Sequence, residues 1–433
     1  MIGGGYVGLV SGACFAEFGT EVTVVETDPG RLSALQAGRL PIYEPGLDRL
    51  VHDNVHAARL TFTGDLRAAL QGVTAVFIAV GTPARRGDGH ADLSYVYAAA
   101  KQVAEALESY AVIVTKSTVP VGTGRRITEI VRQARPDLEF DVASNPEFLR
   151  EGNAIGDFMR PDRVVIGAES ERARQVLRTL YRPLYLIEAP IVFTGIETAE
   201  LTKYAANAFL AMKVTFINEM ADLCEKAGAD VHDVARGIGL DGRIGRKFLH
   251  PGPGFGGSCF PKDTLALMRI AQDFGAPSRL VETVVGVNDA RKAGMGVRVI
   301  QAAGGSVRGK TVAVLGLTFK PETDDMRDSP SLPVVWRLAE DGACIRAFDP
   351  AGMEQARGML PKDVEYCENA LDAAAGADVL VLVTEWNEFR ALGGDRLAQT
   401  MRGRVIVDLR NVYDPAVMRA AGFEYHGIGR PLQ

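Results

Sequence analysis

The stretch that decides the fold is residues 1–28, "MIGGGYVGLVSGACFAEFGTEVTVVETD". Gly3, Gly5 and Gly8 form a G-x-G-x-x-G pattern, and a helical pattern follows them. The segment "EVTVVETD" then has the composition of a buried strand and ends in an acid, Glu26. The sequence therefore predicts a glycine turn, a helix and a buried strand in immediate succession.

This order of elements is typical of dinucleotide binding. The glycines allow a tight turn and a close approach of the backbone to a pyrophosphate, and the helix N-terminus favours its charge. An acid roughly twenty residues past the first glycine accepts hydrogen bonds from ribose hydroxyls. Because a carboxylate would repel a 2′-phosphate, Glu26 favours NAD over NADP. A glycine-rich turn in another α/β fold is the alternative.

Strands and helices alternate after this opening. Short apolar runs at 75–83, 110–118 and 140–148 are separated by helical patterns such as 94–107 and 122–134. Only Met1 and Ile2 precede the glycines, so we expect the first strand to be cut short at the start of the sequence. The pattern predicts a parallel, doubly wound sheet with functional residues at the carboxyl ends of its strands, where Thr82, Thr118 and Glu147 lie.

A long helix is predicted in the middle of the chain. Residues 197–228, "ETAELTKYAANAFLAMKVTFINEMADLCEKAG", contain no Pro or Gly before Gly228 and indicate one helix of about thirty residues, about 45 Å long. Such a helix is expected to link two domains and to offer a dimer surface. Lys203 and Asn207 lie one turn apart on one face, although such side chains on a helix are most often simply exposed to solvent.

The last third of the chain returns to an α/β pattern. Strand-like segments lie at 310–319, 344–350, 377–386 and 404–411. The first of them carries one glycine where the N-terminal domain has three, which predicts a second nucleotide fold without the dinucleotide fingerprint. The fold class is therefore α/β, with two Rossmann-like doubly wound domains joined by the long central helix and a small helical domain.

Three domains follow from these patterns, with boundaries at 1–196, 197–303 and 304–433. The first is predicted to bind NAD, and the second to contain the long helix and a helical dimerisation region. The net charge of −6 argues against nucleic acid or an anionic membrane as the main partner. No apolar run is long enough to span a membrane, and no signal peptide is visible. The five scattered cysteines suggest neither a disulfide framework nor a zinc site, so a reducing cytoplasm is expected.

One cysteine stands out. Residues 252–263 are "GPGFGGSCFPKD", and Pro261 is a good first residue for the helix that "KDTLALMRIAQ" predicts. Cys259 then approaches a helix N-terminus, where the dipole and the amide groups favour a thiolate. A thiolate beside an NAD domain can add to an aldehyde and carry it through a thioester to an acid. The alternative is a small buried side chain in a turn, as most cysteines outside disulfides are.

The chain resembles the UDP-glucose dehydrogenase family, within the nucleotide-sugar dehydrogenases. The resemblance covers essentially the whole chain and is carried by "GGGYVGLV", "VGTP", "KSTVPVGT", "NPEFLREG", "ELTKYAANAFLAMKVTFINE", "GRIGRKFLHPGPGFGGSCFPKD" and "GLTFKPETDDMRDSP". It implies a four-electron oxidation of UDP-glucose to UDP-glucuronate with two NAD and one water, without a metal. It also implies that the C-terminal domain binds the UDP-sugar and that the enzyme is a homodimer or a higher homo-oligomer.

The resemblance implies six catalytic residues, Cys259, Lys203, Asn207, Asp263, Glu147 and Thr118. Cys259 matches the covalent nucleophile. Lys203 would stabilise the developing oxyanion, and Asn207 would donate to it and position the reacting carbon. Asp263 would orient Lys203 and water. Glu147, paired with the threonine, would be the base for thioester hydrolysis.

The resemblance also implies two binding sets. The cofactor set is Gly3, Gly5, Val7, Gly8, Glu26, Arg31, Thr82, Thr118, Glu151, Lys262 and Arg327. The substrate set is Phe148, Leu149, Glu151, Lys203, Asn207, Arg243, Phe248, Leu249, Gly254, Gly256 and Lys320. Among these, Lys320 would hold substrate from the C-terminal domain, and Arg243 would reach the substrate of a partner subunit.

Two alternatives remain open. Phe260 after the cysteine resembles the UDP-glucose branch, whereas GDP-mannose enzymes tend to have Leu there, so GDP-mannose 6-dehydrogenase is the first alternative. Ser258 stands where the branch for N-acetylated sugars has His. The second alternative, from another class, is a catalytically silent nucleotide-sugar sensor, which the retention of every catalytic position disfavours.

Overall fold

A computed structural model describes residues 1–85 and 89–431 of the 433-residue chain. The chain forms two compact units. Unit 1 is Met1–Ala206 with Arg269–Gly275, and unit 2 is Asn207–Met268 with Ala276–Gln433. The two units divide the chain within the long helix, between Ala206 and Asn207. The three domain boundaries expected from the sequence stay predictions.

Unit 1 is built on strands that alternate with helices. Its strands are β1 (Val22–Val25), β2 (Leu60–Thr63), β3 (Ala75–Ile78), β4 (Ala111–Thr115), β5 (Phe140–Ser144), β6 (Val164–Ala168) and β7 (Ile191–Thr194). Its helices are α1 (Tyr6–Glu17), α2 (Pro29–Gln36), α3 (Leu47–His56), α4 (Leu66–Ala69), α5 (Ser94–Ala106), α6 (Thr123–Ala134), α7 (Ala154–Met159) and α8 (Glu171–Leu180), with a 3-10 helix at Arg182–Ile187.

The sheet of unit 1 has doubly wound order. Strand β1 pairs with β2, and β3 to β7 follow one another in space; all neighbours are parallel except β5 and β6. Ile2 bridges Val25 on one side and Ile78 on the other, so two residues occupy the position of the first strand. Ile2 therefore lies between β1 and β3, and the expectation that the first strand is cut short stays a prediction. Buried side chains such as Phe15 and Ile113 fill the two faces of this sheet.

Unit 2 repeats the order in its own sheet. Its strands are β8 (Thr311–Leu315), β9 (Cys344–Phe348), β10 (Glu365–Tyr366), β11 (Val379–Leu382), β12 (Val405–Asp408) and β13 (Glu424–His426). They lie in the order β10-β9-β8-β11-β12-β13, and every pair is parallel. With the first strand as number one, the sheet of unit 2 runs 3-2-1-4-5-6, the Rossmann order, and the sheet of unit 1 runs in the same order and continues with a seventh and an eighth strand, β6 and β7. The predicted fold class is confirmed.

The remaining helices complete the chain. They are α9 (Ile196–Ala227), α10 (Val231–Gly239), α11 (Phe260–Asp273), α12 (Arg279–Ala302), α13 (Ser331–Glu340), α14 (Met353–Arg357), α15 (Ala370–Ala374), α16 (Asn387–Arg390), α17 (Gly394–Thr400) and α18 (Pro415–Ala420). Helix α9 has 32 residues, which confirms the predicted long helix. Helix α12 is also long, with 24 residues.

Candidate active site

The glycine turn of unit 1 has the geometry that the sequence predicts. Gly3 has a φ of +107°, and a Cβ there would lie 2.6 Å from the Ala79 carbonyl oxygen. A Cβ on Gly8 would lie 2.0 Å from the Gly3 carbonyl oxygen, so α1 packs directly against the turn. A Cβ on Gly5 would meet nothing within 4 Å. Two glycines are thus required by the fold, and the third leaves open space at the N-terminus of α1.

That open space suits a pyrophosphate. The first amides of α1 lack partners within the helix, and the dipole at this end favours an anion. Val7 lies on the first turn of α1 and is half-buried. Glu26 follows β1 and is buried, with its two oxygens accepting hydrogen bonds from the amides of Gly4 (3.2 Å) and Asp28 (2.8 Å). The residues present therefore fit NAD.

A buried ion pair connects two of the predicted catalytic residues. Glu147 follows β5 and Lys203 lies on α9, and their Oε1 and Nζ atoms are 3.0 Å apart. The side chains are only 6% and 3% exposed. The other oxygen of Glu147 accepts from the Leu149 amide at 2.6 Å, and the Lys203 ammonium lies 5.4 Å from the centre of the Phe148 ring. This part of the predicted site is thus assembled within unit 1.

The surroundings of Glu147 decide its ionisation. Burial by itself raises the pKa of the carboxyl group, but Lys203, the Leu149 amide and Lys116 together outweigh burial and lower the pKa below its usual value. Glu147 is therefore an ionised carboxylate at neutral pH. An ionised carboxylate can accept a proton from water, as a general base must.

Lys116 was missed by the sequence reasoning, although it lies in the quoted "KSTVPVGT". Its side chain is 3% exposed, and its Nζ donates to Asn145 Oδ1 at 3.1 Å and to the Tyr181 hydroxyl at 3.2 Å. Burial lowers the pKa of Lys116 to about 8. A lysine directly after a buried strand was a signal, but only the fold reveals that its partners are uncharged.

A second polar pair lies within unit 2. Asn207 on α9 donates through Nδ2 to Asp263 Oδ2 on α11 at 2.6 Å, and both side chains are buried. Lys262 Nζ lies 3.0 Å from Asp263 Oδ1. The carboxylate therefore fixes the orientation of the Asn207 amide and leaves the second amide hydrogen for another acceptor.

Cys259 directly precedes α11, as predicted. Its carbonyl oxygen accepts from the Asp263 amide at 2.8 Å, so Cys259 is the N-cap residue of α11. Its side chain is partly exposed, and Sγ lies 3.5 Å from the hydroxyl of Ser258. The thiol is thus at the positive end of a 14-residue helix, where the dipole favours its ionised form.

The loop before Cys259 is packed against the turn region that follows β8. A Cβ on Gly256 would lie 2.3 Å from the Asp328 carbonyl oxygen, and one on Gly257 would lie 2.6 Å from the Phe319 ring. The Gly257 amide donates to the Arg327 carbonyl oxygen at 2.8 Å. Gly256 is needed because backbone meets backbone there, and Gly257 because the Phe319 ring occupies the place of a side chain. The segment that follows β8 therefore holds the loop that carries the thiol.

The predicted substrate residues of unit 2 lie around this loop. A Cβ on Gly254 would lie 2.8 Å from Lys292 Cγ, and Leu249 is buried. The rings of Phe248 and Phe260 are 6.0 Å apart. Lys320 Nζ lies 5.3 Å from the centre of the Phe319 ring. The structure thus brings this part of the predicted substrate set together.

The remaining predicted residues make other contacts. Thr82 Oγ1 donates to the Thr118 carbonyl oxygen at 3.0 Å, which joins two strand ends, and Glu151 is half-buried. Arg31 is exposed on α2. Two further exposed arginines form bidentate pairs with neighbouring carboxylates, Arg243 with Asp241 and Arg327 with Asp325.

Within residues 1–85 and 89–431, no group of three or more His, Cys, Asp or Glu side chains could hold a metal ion. In the same described ranges, no helix is long and apolar enough to cross a membrane.

The fold and the glycine turn define the class of the protein: it contains a Rossmann-type dinucleotide-binding domain. The sequence matches the NAD-binding domain of the UDP-glucose/GDP-mannose dehydrogenase family over residues 1–185, the central domain over 197–290 and the UDP-binding domain over 313–415. The chain belongs to this family, and it is an NAD-dependent oxidoreductase.

Similar proteins agree with this assignment. The chain is 61% identical to a UDP-glucose 6-dehydrogenase of Rhizobium meliloti, covering 100% of this chain and 99% of the relative. It is 47% identical to the UDP-glucose 6-dehydrogenase TuaD of Bacillus subtilis, covering 100% and 93%. A solved UDP-glucose dehydrogenase from Pyrobaculum islandicum has a TM-score of 0.91 at 40% identity, covering 99% of this chain and 96% of that one.

Proposed function

We propose that the chain is an NAD-dependent UDP-glucose 6-dehydrogenase. It oxidises the C6 alcohol of the sugar to a carboxylate and consumes two NAD and one water. Bound NAD supplies the hydride acceptor for each of the two oxidations. The observation that carries the proposal is the set of buried pairs Glu147–Lys203 and Asn207–Asp263, together with a thiol at the start of α11, in a chain 61% identical to a UDP-glucose 6-dehydrogenase.

Cys259 makes the second oxidation possible in this mechanism. Its thiolate attacks the C6 aldehyde, an S–C bond forms, and the carbonyl electron pair moves to oxygen to give a thiohemiacetal. The thiohemiacetal carbon again carries a hydrogen that can leave as hydride. The product of that oxidation is a thioester on Cys259, which water cleaves to release the acid and the thiolate.

The developing oxyanion needs donors. The Lys203 ammonium and the Asn207 amide lie one turn apart on α9 and are the proposed donors. Asp263 accepts one hydrogen of the Asn207 amide and so fixes the direction of the other. Asp263 is also proposed to orient Lys203 and water.

Glu147 is the proposed base for thioester hydrolysis. Because the surroundings lower the pKa of its carboxyl group, it is ionised and able to take a proton from the attacking water. A positioned general base contributes typically about 10²–10⁴ in rate. Thr118, at the end of the neighbouring strand β4, is proposed to position the same water. The other cofactor and substrate residues named from the sequence are proposed to line the two binding sites.

A homo-oligomer through α9 belongs to the same proposal. Leu201, Phe209, Phe216 and Leu223 follow one another at intervals of seven or eight residues on this helix and are exposed. This spacing places them on one face of the helix, which suits an apolar contact with a second copy.

The test of the function is NADH formation from purified protein with separate nucleotide sugars. UDP-glucose should give two NADH per molecule oxidised. GDP-mannose as the better substrate would select GDP-mannose 6-dehydrogenase instead. Binding of UDP-glucose without any NADH would select the silent sensor and refute an enzymatic role.

Two variants separate the chemical steps. Cys259→Ser should block turnover while UDP-glucose and NAD still bind. Glu147→Gln should give a burst of two NADH per active site and then nearly stop, with the intact mass raised by a UDP-glucuronyl group on Cys259. A Glu147→Gln protein with neither burst nor adduct would show that Glu147 acts before hydrolysis.

A further inference from the structure

A buried carboxylate holds the N-terminus of α6, and the proposed mechanism does not use it. Glu200 on α9 is 2% exposed. Its Oε2 accepts from the Gly122 amide and its Oε1 from the Gly124 amide, each at 2.7 Å. These amides belong to the N-cap and the first turn of a 12-residue helix, where no partner within the helix exists. Glu200 therefore supplies both acceptors from another element.

The two helices meet closely at this point. Gly122 has a φ of +94°, a conformation that favours glycine. A Cβ on Gly124 would lie 2.5 Å from Ile196 Cγ2 and 3.3 Å from Glu200 Oε1. The first turn of α6 thus lies directly on the first turns of α9, and both glycines are required for this approach.

The junction joins two parts of the proposed site. The chain that leads into α6 leaves β4 through Thr118, whose carbonyl oxygen accepts from Thr82. Lys203 lies one turn after Glu200 on α9 and pairs with Glu147. The carboxylate of Glu200 consequently links the segment that carries Thr118 to the helix that carries Lys203.

We infer that Glu200 is a positioning residue: its ionised carboxylate fastens the Thr118 segment and α6 to the Lys203 turn of α9, and its protonation loosens them. The expected effect of Glu200 on the rate of turnover rests on the proposed function. The docking of α6 on α9 by Glu200 does not depend on that function.

The chemistry of the carboxyl group gives the reason. An ionised carboxylate only accepts hydrogen bonds, so each oxygen takes one amide. A protonated carboxyl group turns an O–H toward one of these N–H groups, and one amide loses its acceptor. Burial raises the pKa of Glu200 to about 7, against the opposing effect of the Gly124 and Gly122 amides. The change therefore falls near neutral pH.

The charged and titratable groups around Glu200 come from three helices. They are Glu197 of α9, which also raises the pKa of Glu200, Arg125 of α6, which lowers it, Arg126 of α6, and Tyr97 of α5. Glu197 forms an ion pair with Arg125 and is one-third exposed. Glu197→Gln is the comparison variant, because it removes an ion pair between the same two helices and leaves both amide acceptors of Glu200 in place.

The test is amide hydrogen exchange of peptides that cover residues 118–126, at pH 6 and pH 8, corrected for the intrinsic pH dependence of exchange. Wild type should be about tenfold better protected at pH 8, because a carboxyl group with a pKa of about 7 is about one-tenth ionised at pH 6 and about nine-tenths ionised at pH 8. Glu200→Gln should be poorly protected at both pH values. Glu197→Gln should be as well protected as wild type at pH 8 and should lose protection at a lower pH than wild type, because Glu197 raises the pKa of Glu200. Equal wild-type protection at both pH values would overturn the inference, and this comparison needs no variant to fold.

The second measurement is NADH formation with UDP-glucose across pH 6 to 8. Glu200→Gln should lower kcat at pH 8 by about 10-fold to 100-fold and lose the fall in rate between pH 8 and pH 6, since small misplacements cost up to about that much. A Glu200→Gln enzyme as fast as wild type at every pH would refute the positioning role. If exchange changes as expected but wild type makes no NADH, the proposed function fails and the docking role stands.

Discussion

The two doubly wound sheets share the order of their first six strands and differ in the turn that follows the first strand. In unit 1, α1 begins at Tyr6, directly after the glycine turn. In unit 2, Gly316 has a similar left-handed conformation, with a φ of +86°, but no helix begins before α13 at Ser331. After its first strand, unit 1 thus has a helix N-terminus, and unit 2 has an irregular segment at the same place in its own sheet.

The acid that follows the second strand also differs between the units: it is Glu26 after β1 in unit 1 and Asp349 after β9 in unit 2. Glu26 accepts from two backbone amides. Asp349 is fully buried and accepts from the amides of Leu317, Thr318, Ala351 and Gly352, the Thr318 hydroxyl and the Trp386 indole. All the acceptor capacity of Asp349 is used within the fold. The two domains therefore share a sheet order and differ in the turn after the first strand and in the acid after the second.

The largest expected effects come from the glycines that the turns require. Gly3→Ala and Gly316→Ala should each lower the free energy of unfolding by about 2–5 kcal/mol, because both have positive φ and a Cβ would clash with backbone atoms. Denaturant unfolding of each variant, compared with wild type, measures this loss.

Gly5→Ala is the matched control, since its Cβ would enter open space and its φ of −81° suits alanine. Its unfolding should change by less than about 0.5 kcal/mol, whereas the Kd for NAD should rise at least about tenfold, because the methyl group occupies the path of the pyrophosphate. Unchanged NAD binding in Gly5→Ala would contradict the prediction that the open space at Gly5 holds the pyrophosphate of NAD.

The next effect concerns the two acids. Asp349→Asn should lower the free energy of unfolding by about 2–4 kcal/mol, because the new NH₂ group faces buried donors and leaves them without an acceptor. Glu26→Gln should cost only about 1 kcal/mol and should weaken the preference for NAD over NADP. Chemical unfolding and kinetics with both cofactors separate the two. Equal destabilisation by both changes would contradict the contrast between the acids.

The smallest effect tests the buried charge of unit 1. Lys116 has its pKa lowered to about 8 by burial, so between pH 8 and its usual value of 10.5 the unfolded chain binds more protons than the folded one. The free energy of unfolding therefore rises as pH increases from about 8 to 10.5, and it falls again as pH decreases through the same window. Lys116→Met should remove this rise, worth a few degrees in Tm, and Asn145 Oδ1 would keep its bond from Tyr181.

The same variant should slow hydrolysis on the acid side. Without Lys116, the pKa of Glu147 is lowered less, so the acid limb of the rate of thioester hydrolysis should move to higher pH. Lys101→Met, which removes a largely exposed lysine, should leave the profile unchanged. An unmoved acid limb in Lys116→Met would show that Lys203 and the Leu149 amide set the ionisation of Glu147 without Lys116.

Local patterns were sufficient for much of the fold. The glycine turn, the helix of 32 residues and the start of α11 beside Cys259 were predicted, because each depends on neighbours in the sequence. The short strands β10 and β13 were missed, since strands of two or three residues carry too little alternation to be recognised.

The sequence by itself determined which residue types were available: an acid after β1, a thiol before a helix, and a lysine and an asparagine one turn apart on α9. Only the tertiary structure decided their partners. Glu147 and Lys203 are 56 residues apart in the chain, and so are Asn207 and Asp263. Burial, pKa and hydrogen bonding arise from contacts between such distant residues, so Lys116, Glu200 and Asp349 gained their properties only when the sheets and helices packed together.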